Sequence, residues 1–432
     1  MGYQAAEAVY DGAQTLNCRL TGIQFENVLK TKRSALLLET LELYKSKTLD
    51  ELIRKSHMAS VHMQEVGLME GCYSIIEKDP KLKDGFVLRF LMKEPKAITV
   101  GVKMGVTNTG NADGSVTASK QSIFGSAESA DISYSKALRG GHNFNVNFVK
   151  PWLGWQSYRS TGVNVRRSCD LLNWNLTNLT ENAINLQHGN SAFDGMLSQL
   201  IRANIVWRFL QPTAKTAFPI REHAGHTTKF SLEHVLSYDK RDRPILPETG
   251  YIGKWTAEIA PFIGDSHFFR SEFFVQAAAK LPFGFFFNSS LQTQMLQNIG
   301  DRTLHVLDRL YLGGPLDVRG FKLNSIGPRV EECALGGAFS LATTAHLYYP
   351  LYPKNMVVFA HAFTSAGSVV SVRSRNWLND ALDSMRCSAG IGVTAIIRDI
   401  IRFELNYVVP VAFVPGDQCE PGLYFGAGAR FL

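Results

Sequence analysis

The chain has 432 residues and a formal net charge of +7 at pH 7, with 45% hydrophobic and 19% charged residues. This composition excludes a disordered or fibrous protein, and the length accommodates two or three ordinary domains or one large barrel. Because soluble domains average roughly 25% charged residues, the low charge, together with 27 Phe and 14 Tyr, suggests contact with a membrane.

The beginning of the chain shows no targeting or membrane-spanning segment. Residues 1–7 lack the basic and apolar regions of a secretory signal, and Ala6 stands where a myristoylation motif has Ser or Thr. A run of about 20 mostly apolar residues, which a transmembrane helix needs, does not occur in the sequence. We therefore expect a protein released into the cytosol, with any targeting information internal to the chain.

Residues 16–93 predict a small α+β domain, which follows an N-terminal tail of residues 1–15. Thr48 and Glu51 have the spacing of a capping box, in which the Thr hydroxyl and the Glu carboxylate each accept a helix N–H. Gly67 is placed to end this helix in the left-handed conformation. The expected order is β-α-α-β-β, with elements at 16–25, 34–44, 49–66, 71–77 and 85–92.

From residue 94 to residue 432, helical periodicity gives way to alternation of apolar and polar residues. Near the C-terminus, for example, Phe403 and Leu405 alternate with polar residues such as Glu404. This pattern is typical of strands with two different faces. It recurs in the segments 97–104, 143–148 and 251–259.

Two architectures fit this alternation, a soluble β-sandwich whose apolar face forms the core and a membrane barrel whose apolar face contacts lipid. The barrel is favoured because the segments do not divide into sandwich-sized units. Its length accommodates about 16 strands of about 10 residues, closed into a ring so that no edge is left unpaired in hydrocarbon. Aromatic residues near strand ends also suggest the girdles of outer-membrane barrels; these are Trp152, Trp155, Trp207, Tyr251, Phe285, Phe286, Tyr348 and Tyr349.

The sequence lacks the motifs of catalysis and of metal or cofactor binding. The six cysteines contain no C-x-x-C pair, the histidines form no H-E-x-x-H motif, and the glycines at 101–110 lack dinucleotide-binding and Walker spacing. Lys and Arg form no dense run that would indicate nucleic-acid binding. We therefore expect no enzyme, no metal, no cofactor, and neither a nucleic acid nor a small molecule as partner.

The sequence at 308–321 reads DRLYLGGPLDVRGF and ends in Val318, Arg319, Gly320 and Phe321. This tetrapeptide resembles the loop-six motif of the BamA-like superfamily of outer-membrane barrel assembly proteins. The chain is most similar to the mitochondrial branch, the central barrel subunit of the sorting and assembly machinery. The resemblance covers essentially the whole chain and includes the segments 242–250, 325–328 and 403–432.

This resemblance implies a barrel of about 16 antiparallel strands in the mitochondrial outer membrane, with one POTRA domain, residues 16–93, in the intermembrane space. The implied function is insertion of β-barrel precursors, in contact with membrane lipids and with accessory subunits of the machinery. The expected route is a lateral seam between the first and last barrel strands, because an unpaired strand edge templates another strand. The first strand of this seam would carry Ile98, Val100, Val102 and Met104.

Loop six is expected around 296–334, and the resemblance implies that Arg319 reaches into the barrel and binds polar groups on the wall. A guanidinium has five N–H donors, which need acceptors in a closed interior. Ser365 is neutral where bacterial members place an Asp, so the wall partner of Arg319 is left open.

The last strand resembles the signal by which mitochondrial barrels are recognised, a polar residue, then Gly, then two hydrophobic residues at fixed spacing. The matching residues are Tyr424, Gly426, Ala429 and Phe431. Two other functions stay open, a passive outer-membrane pore or translocation channel and an inactive paralogue.

Overall fold

A computed structural model of the chain describes residues 16–96, 98–106, 112–137, 140–193, 195–261, 263–300, 303–351, 358–371, 377–397, 401–414 and 416–428. Within these ranges the expected architecture is confirmed: a small α+β unit precedes one large antiparallel sheet. None of the helices described is both long enough and apolar enough to cross a membrane.

The N-terminal unit consists of β1 (Arg19–Glu26), α1 (Arg33–Thr40), α2 (Leu49–Glu65), β2 (Gly71–Lys78) and β3 (Gly85–Lys93), with a short 3₁₀ segment (Leu41–Lys45) between the helices. At the start of α2, the Thr48 hydroxyl accepts from the Glu51 N–H at 3.3 Å, as predicted. The Glu51 carboxylate accepts from the Lys47 N–H at 3.0 Å, one residue earlier than in a standard capping box. Gly67 follows the helix with a φ of +76°, the predicted left-handed end.

The sheet of this unit has β3 in the centre, parallel to β1 and antiparallel to β2. Leu36 of α1 and Leu52 and Met63 of α2 pack with Leu88 and Phe90 of β3 in one buried cluster. Each such side chain contributes about 1.5–3 kcal/mol when it is fully removed from water. Ala127, Leu153 and Trp155 of the barrel turns join the same cluster, so the core of the unit extends to the barrel.

The rest of the chain is mainly strands: β4 (Thr99–Val106), β5 (Ala112–Gln121), β6 (Ser129–Ala137), β7 (His142–Trp152), β8 (Arg159–Leu172), β9 (Thr177–Ala192), β10 (Leu197–Pro212), β11 (Gly225–Asp239), β12 (Gly250–Ala260), β13 (Phe268–Lys280), β14 (Phe286–Asn298), β15 (Arg329–Val330), β16 (Cys333–Ala334), β17 (Phe339–Pro350), β18 (Val358–Val370), β19 (Arg386–Ile397), β20 (Ile401–Ala412) and β21 (Gly422–Gly428). Two short helices lie in connections, α3 (Phe218–Arg221) and α4 (Trp377–Asp383).

Sixteen of these strands form one sheet, in which each strand pairs antiparallel with its neighbour along the chain. The exception is β14, which pairs with β17 because β15 and β16 form a separate ribbon. The two ends of the sheet, β4 and β21, lie side by side. The sheet thus closes into a barrel, and the junction between β4 and β21 is called the seam below.

The barrel strands alternate between a polar inner face and an apolar outer face. On β20, Arg402, Glu404 and Asn406 are buried, whereas Leu405 and Tyr407 are exposed. This is the pattern of a membrane barrel, whose outer side chains contact lipid and whose inner side chains line a polar lumen. A single closed sheet of 16 strands also rules out the β-sandwich.

Two aromatic residues assigned to the girdles lie inside the barrel instead. Phe286 and Tyr348 are buried, and their rings stack with centroids 4.9 Å apart. Their neighbours Phe285 and Tyr349 form the outward pair. The expectation was wrong for Phe286 and Tyr348 because consecutive aromatic residues of a strand point to opposite faces.

The N-terminal unit is fixed to the turn between β7 and β8. Glu39 of α1 and His62 of α2 are fully buried and form an ion pair with Oε2 and Nδ1 2.7 Å apart. The other Glu39 oxygen accepts from the Gly154 N–H at 2.7 Å, and His62 Nε2 lies 3.1 Å from the Ser157 carbonyl oxygen. Because both ring nitrogens face acceptors, the contact requires the doubly protonated imidazole.

Candidate functional site: loop six and the seam

Loop six is the connection of residues 299–338 between β14 and β17. Its described part takes part in three apolar clusters with the barrel wall, and one of them lies on the inner faces of β17 and β18. That cluster contains Leu312, Val318, Phe321 and Ile326 of the loop, Ala342 of β17 and Val369 of β18. Loop six therefore lies inside the barrel.

Arg319 is the charged residue of this loop that reaches the wall near the seam. It is 1% exposed, and its Nη2 lies 3.2 Å from Oε2 of Glu404 on β20. Its guanidinium carbon lies 4.9 Å from the centre of the Phe363 ring on β18. A buried ion pair is stable only where such close contacts offset the loss of hydration. The pair therefore fixes the loop at a defined position on the wall.

Glu404 is shared between two guanidiniums. It also pairs with Arg402 on the same strand and accepts from Nδ2 of Asn406 at 2.8 Å. Arg402 in turn donates to the hydroxyl of Tyr348 on β17. The resulting buried cluster connects loop six with β17, β18 and β20.

Ser365, where the resemblance suggested a wall position for the partner of Arg319, lies on β18, two strands away from Glu404 in the sheet. Ser365 is buried, and its hydroxyl oxygen lies 2.8 Å from that of Ser388 on β19. The carboxylate for Arg319 thus comes from β20. Sequence reasoning missed Glu404 as the partner, although the alternation along β20 placed it on the polar face.

Gly320 allows the chain to turn between the buried side chains of Arg319 and Phe321. Its φ is +85°, a conformation that is costly for a residue with a Cβ. A Cβ at this position would lie 3.1 Å from Cγ1 of Val408 on β20. The glycine of the motif is therefore required both by its backbone angle and by the approach to the wall.

At the seam, the side chains of the first strand face outward. Ile98, Val100 and Val102 are 63–70% exposed, and Leu423 and Phe425 of β21 are 62–74% exposed. Met104 lies on β4 by its backbone. Over the parts of β4 and β21 that are described, no ladder of hydrogen bonds joins the two strands.

Half of the expected last-strand signal can be located. Tyr424 is paired with Asn406 and Gly426 with Glu404 in the antiparallel register of β20 and β21. Ala429 and Phe431 lie outside the described residues. The Glu404 cluster is therefore next to the last strand.

A polar cavity of about 360 Å³ lies against the inner faces of β8 to β12. Its charged side chains nearly balance, with Arg166, Arg202, Arg208 and Lys229 opposite Glu181, Glu233 and Glu258. Such a lining gives little preference for anions or cations. Nowhere in the described ranges do three His, Cys, Asp or Glu side chains come together as metal ligands.

Residues 122–431 match the model of the Omp85 superfamily domain. The chain belongs to the Omp85 superfamily. It is 31% identical, over 95% of its length, to the sorting and assembly machinery component 50 homolog of Xenopus tropicalis and covers 90% of that protein. The Homo sapiens protein of the same name is 30% identical with the same coverage. These relatives confirm the resemblance inferred from the loop-six motif.

A solved Omp85 structure has the same fold. BamA from Haemophilus ducreyi lacking POTRA domains 1–3 superposes with a TM-score of 0.80 over 95% of this chain and 84% of that chain, at 15% identity. At this identity the likeness establishes the fold alone, and function has to be argued from the site.

Proposed function

We propose that this Omp85 protein folds β-barrel precursors and inserts them into the mitochondrial outer membrane through the seam. The observation that carries the proposal is the arrangement of β4 and β21, which lie side by side without a ladder between their described residues. Over its described residues, each of the two strands therefore has one edge of backbone groups that no barrel ladder pairs. Such an edge is a template for another strand.

The physical advantage of the seam lies in the hydrogen bonds of the incoming backbone. In hydrocarbon each unpaired N–H or C=O group costs several kcal/mol, so a precursor strand is stabilised where it pairs at once. Growth by successive hairpins keeps every strand paired on at least one side. No covalent bond is made or broken, so the proposed activity needs no catalytic side chain and the protein is not an enzyme.

The relatives, by their names, support the partners proposed for this activity. They are named as components of a sorting and assembly machinery, which favours accessory subunits and barrel precursors as partners. We place the barrel in the outer membrane and the N-terminal unit in the intermembrane space. That unit contacts the β7–β8 turn, so it lies at the barrel end opposite to the end at which β14 leads into loop six.

A passive pore is less well supported. Loop six lies inside the barrel, with Arg319 on the wall, and the charges of the remaining cavity nearly balance. A translocation channel would need an open lumen. An inactive paralogue would keep the fold, and it is distinguished only by activity.

Crosslinking to a precursor tests the seam directly. Val100 is replaced by Cys in a cysteine-free variant, and a radiolabelled precursor with one Cys in its last strand is imported into isolated mitochondria. The matched control is Val275→Cys, because Val275 also faces outward but lies on β13, which is paired on both sides. We expect a disulfide to Val100→Cys and none to Val275→Cys.

The register of crosslinks completes the test. Cysteines at Ile98, Val100 and Val102 in turn should each prefer a different position of the precursor strand, two residues apart. If none of the three cysteines forms a crosslink while the precursor still assembles, insertion through the seam is contradicted. Assembly that persists after depletion of the protein would favour the pore or the inactive paralogue.

A further inference from the structure

We propose that Asp308 and Arg208 form a second anchor of loop six, which together with the Arg319 anchor holds the loop across the lumen and thereby aligns the strands of the seam. Asp308 would be a positioning residue of the insertase, so the inference rests on the proposed function. Neither residue belongs to the loop-six tetrapeptide at 318–321.

Asp308 is buried and has hydrogen-bond partners on several elements of the wall. Asp308 is 1% exposed, and its Oδ1 lies 2.7 Å from Nη1 of Arg208 on β10. Its Oδ2 accepts from the Ser266 hydroxyl at 2.6 Å, and its backbone carbonyl accepts from Nη2 of Arg270 on β13 at 2.6 Å. Arg208 also has Glu181 on β9 as a second acidic neighbour at 3.6 Å. One residue of the loop is thus held by two strands and the β12–β13 connection.

The two anchors have opposite polarity. At Asp308 the loop supplies the acid and the wall supplies the base, whereas at Arg319 the loop supplies the base and Glu404 on the wall supplies the acid. Each loop residue therefore meets an opposite charge at its own partner. This arrangement specifies which end of the segment lies on which wall.

The two walls are on opposite sides of the barrel. In the closed ring of 16 strands, β10 and β20 are eight strands apart in either direction. A ring of 16 strands, spaced by about 4.8 Å and tilted by about 40°, is on the order of 30 Å across. The segment 308–319 therefore joins a residue bonded to Arg208 on β10 with one bonded to Glu404 on β20, and between them Leu310 and Leu312 pack against residues of β12 to β18.

This segment is hydrogen-bonded to later residues of loop six and does not hang as a free chain. Leu310 and Gly337 exchange two backbone hydrogen bonds at 2.9 and 2.8 Å. Gly313 accepts from the Asn324 N–H at 2.9 Å. A segment held in this way transmits a displacement at one anchor to the other.

The Arg319 anchor is directly connected to the seam through Glu404. Glu404 lies opposite Gly426 of the last strand in the register of β20 and β21. A shift of Arg319 therefore moves β20, the strand with which β21 is paired. By this connection Asp308, on the other side of the barrel, affects how β21 lies against β4.

The test measures disulfide formation across the seam in the full-length protein in isolated outer membranes. Val102→Cys and Phe425→Cys are introduced together into a cysteine-free variant, and the rate of their crosslink is followed after a mild oxidant. Both side chains are exposed on the outer face, so these substitutions leave the lumen unchanged. Folding of each variant is verified by its heat-modifiable mobility on gels.

Asp308→Asn removes the charge and keeps the shape of the side chain. We expect it to change the rate of the seam crosslink by between about 2-fold and 30-fold. The matched control is Glu233→Gln, which breaks the lumen ion pair of Glu233 with Arg202 at 2.9 Å, a pair in which no described residue of loop six takes part. The control should leave the rate unchanged. An unchanged rate in Asp308→Asn, or an equal change in the control, overturns the proposal.

A second set of variants covers the case in which Asp308→Asn does not fold. Arg208→Lys keeps the charge but loses the planar fork, and we expect the crosslink rate to change in the same direction. Where Asp308→Asn does fold, it is also combined with Arg208→Gln, and the effects of the two substitutions should be smaller than additive, because either one already breaks the pair. Additive effects, or an unchanged rate in Arg208→Lys, overturn the direct pair.

This measurement is separable from the test of the proposed function. The seam crosslink is read without any precursor present. A precursor that never crosslinks to Val100→Cys contradicts the proposed insertase function. A rate of the seam crosslink that is unchanged in Asp308→Asn contradicts only the second anchor.

Discussion

Replacing Glu404 by Gln should destabilise the barrel more than replacing Arg319 by Gln, although each substitution breaks the same ion pair. The reason is that Glu404 serves two buried guanidiniums, those of Arg319 and Arg402. Glu404→Gln deprives both of their shared carboxylate. Arg319→Gln leaves that carboxylate with Arg402 and with the amide of Asn406.

The size of the difference follows from what each substitution leaves behind. A buried charge that loses its counterion costs about 3–5 kcal/mol. A lost hydrogen bond to a charged group costs about 1.5–3 kcal/mol, and this is the figure for Arg319→Gln because Glu404 keeps other partners. We therefore expect the two variants to differ by about 2 kcal/mol, a factor of about 30 in the unfolding equilibrium.

Reversible unfolding of the purified protein in detergent micelles measures this difference. The folded fraction at each urea concentration is read from heat-modifiable mobility, and the free energy of unfolding is extrapolated to water. Glu233→Gln serves as the control for loss of a lumen carboxylate that has a single basic partner at 2.9 Å. Equal free energies for Glu404→Gln and Arg319→Gln, or a larger loss in Arg319→Gln, would refute the shared carboxylate.

Three further predictions concern the N-terminal unit and the loop-six motif. Burial lowers the pKa of His62, but the ion pair with Glu39 outweighs it and leaves that pKa above the ordinary 6.5. The pair should therefore stabilise the docked unit fully below pH 6.5 and lose this effect as the pH rises through the raised pKa, a dependence that protease protection should show in the native protein and not in His62→Gln. Gly320→Ala should cost at least about 1–2 kcal/mol in urea unfolding, because alanine is strained at a φ of +85° and its Cβ meets Val408. Thr48→Ala should lower the stability of the N-terminal unit by about 1 kcal/mol through loss of the helix cap, measured by hydrogen exchange of α2.

The barrel was predictable from the sequence because the membrane imposes one rule on every strand. Leu405 has to face lipid and Glu404 the lumen, so alternation alone identifies β20 and its two faces. Where consecutive residues are all apolar, the same rule does not show which of them face lipid and which face the lumen. Phe285 and Phe286 are both aromatic, and only the register of β14 with β17 shows that the second points inward.

The partner of Arg319 was not predictable because the contact depends on the closed shape of the barrel. Arg319 and Glu404 are 85 positions apart in the chain, and the loop reaches β20 only after the sheet has closed. The position of Ser365 directed attention to β18, where no carboxylate stands. Asp308 stands ten residues before the motif, and its partner Arg208 is 100 positions away in the chain and lies on the opposite wall.

The proposed insertion requires the seam between β4 and β21 to open for a precursor. It is tested most directly by closing the seam with the Val102→Cys and Phe425→Cys disulfide and following the assembly of a radiolabelled barrel precursor in isolated mitochondria. We predict that assembly stops in the oxidised protein and resumes after reduction, while either single cysteine has no effect. Assembly at the normal rate through a fully oxidised seam would contradict the account.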